Sequence, residues 1–133
     1  MTTQKIKHMA YESESWKRAL GFILDENVYL KNKLSETLKE NFAGSFLNDA
    51  EDFQNSFIYY DTMISIIRDD IAGFDRLLER EAFENGKIMD ELVQKAKTIR
   101  DNMMNTESAF SKLKSEFSDY LLHKSLITDR QQR

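Results

Sequence analysis

Eight large apolar residues, Phe53, Phe57, Tyr60, Ile64, Ile67, Ile71, Phe74 and Leu78, succeed one another at alternating steps of four and three, with no polar residue at any of the eight positions. Steps of this kind keep side chains on one stripe of an α-helix, and a stripe held for more than three heptads predicts a long helix packed along its length against others. The stripe cannot stand alone. Ordering a helix of that length costs more backbone entropy than the burial of one row of side chains returns. Comparable rows must lie elsewhere in the chain.

Two are present. Trp16, Leu20, Ile23, Asn27, Leu30 and Leu34 form one, flanked by Leu24 and Leu38. Asn27 falls at an inward position, where a buried amide fixes register or helix number at some cost in stability. The other runs Met89, Leu92, Ala96, Ile99, Met103, Thr106, Phe110, Leu113, Phe117, Tyr120. Ser13 or Ser15 supplies a cap for a first helix over 13–42, and Gly44 suits the left-handed residue just past its end. Asn48-Asp49-Ala50-Glu51 reads as a capping box for a second helix over 48–82, with Asp49, Glu51 and Asp52 favoured by its dipole. The heptad phase could continue through Glu81, Asn85, Ile88 and Leu92 into one very long helix. Polar residues at two of those positions, the breaker pair Asn85-Gly86 and the change of phase beyond it favour a reversal instead. A third helix is then expected over 87–125, with loose tails at 1–11 and 128–133. The reading is an all-α protein of one domain, an elongated antiparallel three-helix bundle of coiled-coil type running up-down-up. Reflection through the first turn brings Gly21 and Gly73 level, which predicts a close approach of the first two helices there.

Composition agrees and narrows the chemistry. Among 133 residues there is no proline and no cysteine, so long helices are unbroken and no disulfide, thiolate metal site or thiol nucleophile is available. The first sixteen residues hold no apolar run of signal-peptide type, and no stretch is apolar enough to span a membrane. A cytoplasmic protein without a transmembrane segment is expected. The net charge of −4 speaks against nucleic acid, and ten acids against three bases over 48–84 make the middle segment the acidic part.

No catalytic site is expected. Neither His8 nor His123 belongs to a Glu-x-x-His pair of di-iron type, and Glu116, Asp119 and His123 share a helical face with a single imidazole. His123-Lys124-Ser125 lacks the glycine of an exposed phosphorelay histidine. The acids Asp69-Asp70 and Asp49-Glu51-Asp52 are placed on a helix surface, with nothing to raise a pKa for acid–base work. No metal and no cofactor are expected.

One feature goes beyond a generic bundle. Tyr59, Met63, Ile66, Asp70, Gly73 and Leu77 form a second row on the middle helix, and Phe22 and Tyr29 stand apart from the core row of the first. Phe22, Tyr29, Tyr59, Met63 and Ile66 are therefore candidates for one aromatic-rich interface across the first two helices, with covering by the third helix as the competing reading. The expected function is a non-catalytic interaction or scaffold protein acting through a protein partner or through itself, with a homodimer the simplest assembly. The alternative is a helical signalling or sensor module, such as a phosphotransfer or ligand-responsive bundle. Peripheral membrane association through the N-terminal tail and the aromatic patch is a third.

Overall fold

The computed structural model describes the backbone of residues 2–40, 44–84 and 86–132, and side chains of 3–40, 44, 46–83 and 86–124. It consists of three α-helices in up-down-up order: α1 Thr2–Glu40, α2 Gly44–Glu84 and α3 Met89–Gln132. Among the described residues there is no strand. With 39, 41 and 44 residues, each rod is about 60 Å long at a rise of 1.5 Å per residue.

The three rows predicted from sequence make the core. Phe57, Ile64, Ile67, Ile71 and Phe74 of α2 are buried to 2% exposure or less, and Tyr60 and Leu78 are nearly so, while Phe53 is half-buried against α3. The α2 row also reaches further than its eight apolar members, through Phe46 and Ala50 at one end and Glu81 at the other, all buried. Leu20, Leu30 and Leu34 of α1 and Leu92, Ala96, Ile99 and Phe117 of α3 close the centre.

Several helix ends differ from expectation. α1 begins at Thr2, so residues 2–11 are helix and not a loose tail; Ile6 and Met9 continue its core row and pack against it, which holds the extra turns. Ser13, expected as a cap, lies inside the helix with 1% exposure. Gly44 is the first residue of α2 and not the cap closing α1, and the box at Asn48–Glu51 lies inside α2, whose first turn has no acid. The residues joining α1 to α2, 41–43, lie outside the described ones. α3 extends to Gln132, past the expected end at 125, and Asp90 and Glu91 in its first turn suit its positive pole.

The reversal between α2 and α3 is as expected, although Asn85 itself lies outside the described residues. Gly86 has φ of 92°, which L-residues with a side chain rarely adopt. Glu81 does more than interrupt the apolar row. It is 1% exposed, and its Oε2 accepts the backbone N–H of Ile88 at 2.8 Å, so one carboxylate ties the end of α2 to the start of α3. The close approach at Gly21 and Gly73 does not occur: nothing lies within 4 Å of a Cβ at Gly21, and at Gly73 only the Arg76 side chain of the same helix does.

Candidate interaction surface and the polar layers that orient it

Which face of each helix is free depends on how the three rods are rotated, and paired side chains beside the core fix that rotation. On α1, Lys17 and Lys31 point to α2, where they meet Asp75 at 2.7 Å and Asp61 at 2.6 Å. On the other flank of α1, Glu12 takes both Nε and Nη2 of Arg100 at 2.5 and 2.9 Å, and Glu26 meets Lys114 at 3.1 Å. Both of these cations belong to α3.

Between the flanks, two polar residues enter the core. Ser13 Oγ donates to Asp75 Oδ1 at 2.5 Å. Asn27, 0% exposed, donates its Nδ2 to the Phe57 carbonyl at 2.9 Å and to Asp61 Oδ1 at 2.8 Å. Its own Oδ1 has no hydrogen-bond partner. The result is two layers of the same design. Glu12, Ser13 and Lys17 recur as Glu26, Asn27 and Lys31, and their partners Asp75 and Asp61, Arg100 and Lys114 are likewise fourteen residues apart. Lys17 is held above its ordinary pKa, first by its bond to Asp75 and then by Glu14; Arg100 is raised by its bond to Glu12. The signal for these layers was present in the sequence as the repeat E-S/N-x-x-x-K at 12–17 and 26–31. A search for apolar periodicity passes over it, because four of the six repeating residues are charged.

With the rotation fixed, the candidate interface residues can be placed. Phe22 and Tyr29 are 72% and 60% exposed, Tyr59 and Ile66 are exposed at 56% and 48%, and Met63 is half-buried. α3 therefore leaves four of the five open to solvent. They do not, however, form a single patch across α1 and α2. Phe22 and Tyr29 flank Glu26, which reaches toward α3 on one side. Tyr59 borders the groove on the other side of α3, facing Lys112 and Glu116. α3 stands between the two groups. The level assigned by reflecting the chain through its first turn holds, as the Lys31–Asp61 and Lys17–Asp75 pairs show, but level along the bundle does not determine azimuth around it.

The α2–α3 groove has a volume of roughly 490 Å³, with Tyr59, Tyr60 and Leu113 as its apolar part and small Ser56 and Ala109 leaving it open. It continues past Ser56 and Leu113 toward Phe53 and Tyr120, with Asp49, Asp52 and Glu116 at its edge. Beneath it the core is aromatic. Phe57 meets Phe117 edge-on at 5.2 Å, Phe53 meets Phe117 at 5.0 Å, and Tyr60 meets Phe110 at 5.3 Å. Tyr120 donates to Asp49 Oδ2 at 2.8 Å; burial first and that bond second push its hydroxyl well above the ordinary tyrosine value.

Among the described residues no group of three His, Cys, Asp or Glu side chains is gathered closely enough to hold a metal, and Glu116, Asp119 and His123 are exposed along one face of α3. Among the same residues no helix is long and apolar enough to cross a membrane. No protein-family model, curated protein or solved structure matches this chain.

Proposed function

We propose that this chain is a non-catalytic, cytoplasmic interaction protein that uses its rigid bundle to present helical faces, with a further copy of itself as the first partner. One observation carries the reading: Tyr11, Phe22 and Tyr29 stand 70%, 72% and 60% exposed on the outer side of α1, a helix whose other side is already committed to the core. Single exposed apolar residues are common on any protein. Here three large aromatic residues fall within about 20° of one azimuth, at 100° per residue, and repeat along the rod. Residues of this type are enriched where proteins meet. The ion pairs to α2 and α3 hold α1 from rotating that stripe inward.

Multi-angle light scattering tests the reading. The wild-type protein is expected to show a mass above one chain, and Phe22→Ser with Tyr29→Ser to return it to one chain with helical circular dichroism unchanged. Loss of helicity would place the two residues in the core, and a wild type that stays at one chain over the accessible concentration range removes self-association.

A further inference from the structure

We infer that self-association, on the reading just given, is head-to-tail: the outer stripe of α1 in one copy seats in the α2–α3 groove of the next. The argument begins with a match of shapes. A helix laid in a groove between two others extends a bundle by one rod, and it needs an apolar groove open enough to admit its side chains. Tyr60 and Leu113, both buried, give the floor, Tyr59 and Tyr120 flank it, and small Ser56 and Ala109 leave it open. Tyr11 and Phe22 on α1 are eleven residues apart, as are Ala109 and Tyr120 on α3. At 1.5 Å per residue both intervals are about 16 Å, so the Tyr11–Phe22 part of the stripe spans the groove and Tyr29 lies beyond it.

The charges also match. Lys7 and Arg18 lie on the same narrow stripe as Tyr11 and Phe22, both exposed and neither in an ion pair among the described residues. The acids nearest them in sequence, Glu12 and Glu14, are already paired with Arg100 and Lys17, and Asp25 marks the end of the basic portion. The groove is lined by Asp49, Asp52 and Glu116 and by Lys112, with Lys124 over the Tyr120 ring at one end. Arg18 meeting Asp52 or Glu116 places opposite charges around an apolar centre, which favours this orientation over a sliding or inverted one.

Topology excludes a closed pair through these two surfaces. The residues of α2 and α3 that bind α1 are Asp61, Asp75, Arg100 and Lys114; the groove is formed by the opposite flanks of the same two helices. Stripe and groove therefore look in opposite directions. A contact between unlike surfaces is heterologous, and it produces a ring or an open row of copies, not a two-fold dimer.

The test uses two variants altered only at exposed residues, Arg18→Glu with Phe22→Ser on the stripe and Asp52→Lys with Glu116→Lys in the groove. For wild type, light scattering is expected to give a mass that rises with concentration beyond two chains and falls as salt is added. Each variant alone, helical by circular dichroism, is expected at the mass of one chain. An equimolar mixture is expected to reach two chains and stop, because one intact stripe and one intact groove remain. If the groove variant assembles like wild type while the stripe variant does not, copies meet through α1 alone; the head-to-tail arrangement is then wrong and self-association stands. If both variants assemble like wild type, the arrangement is likewise wrong. A wild type fixed at one chain removes both readings.

Discussion

The two interfaces that α2 makes are built from different chemistry. Toward α3 it offers rings: Phe53, Phe57 and Tyr60 meet Phe117, Tyr120 and Phe110 in edge-on and tilted pairs 5.0–5.3 Å apart. Toward α1 its core row is flanked by Asp61 and Asp75, which receive Asn27, Lys31, Ser13 and Lys17. Ring packing buries large area and tolerates small shifts along the rod. A hydrogen-bonded amide or carboxylate does not. Between Asp61 and Asp75, at the corresponding position of α2, stands Arg68; a slip of one heptad would place it against Lys17 or Lys31, two like charges in place of an ion pair. The α3 side thus holds most of the ring pairs, with Trp16 on Phe74 at 5.3 Å as their counterpart toward α1, and the α1 side chooses one register among several of similar burial.

If that division holds, the largest loss comes from the aromatic side. Phe57 has no exposure and packs on Phe53 and Phe117. Phe57→Ala is expected to cost about 3–5 kcal/mol in urea unfolding, the usual range for a ring deleted from a close-packed core. A loss under about 1 kcal/mol would mean that the cluster is loose and that the polar side carries the larger share of the stability.

The polar side responds differently, because its buried amide is imperfectly satisfied. Asn27→Leu removes an acceptor that has no partner and leaves the Lys31–Asp61 pair in place. Relief of that orphan is offset by loss of the two bonds that Nδ2 donates to the Phe57 carbonyl and to Asp61, so the unfolding free energy is expected to change by no more than about 1 kcal/mol. The cost is in uniqueness. Asn27→Leu combined with Ser13→Ala is expected to show more than one set of amide resonances, as slipped registers become populated. A single set in the double variant would assign register to the rings and break the comparison.

Sequence periodicity revealed the apolar rows of both interfaces and hid the polar layers of one. Burial of apolar rows obeys a local rule, so the course of three rods, the reversal at Gly86 and nearly all of the core could be read from spacing alone. Ser13 could not, because a serine before an apolar row is more often a cap; only its meeting with Asp75, 62 residues away, makes it part of the interior. Glu81 misleads for a related reason: its polarity signals a break in the apolar row, whereas its carboxylate is buried and ties the turn to α3. The candidate interface suffered from the limit of one-dimensional arithmetic. Reflection through a turn gives height, whereas the separation of Phe22 and Tyr29 from Tyr59 by α3 depends on rotation, which the ion pairs set.

Alkaline pH separates the two sides by a smaller effect. Tyr120 and Tyr60 are both shifted upward, in each case chiefly by burial, with the bond to Asp49 adding to the shift at Tyr120. A raised value in the folded state means that folding favours the protonated hydroxyl. The stabilisation is complete below the unfolded tyrosine value of about 10 and is lost as pH climbs above it toward the folded value. Lys17 of the polar layers is raised too, so its share also fades at high pH, but its side chain is 44% exposed and solvent screens the pair. The melting temperature is therefore expected to fall above pH 10 mainly through the aromatic side. Tyr120→Phe keeps the ring on Phe53 and Phe46 and gives up only the hydroxyl. At neutral pH it should cost about 1 kcal/mol for the lost bond to Asp49, and between pH 10 and 11.5 its melting temperature should decline less than that of wild type. Parallel declines would trace the alkaline loss to Lys17 and its partners, and with it a larger share of the stability to the side of α2 that faces α1.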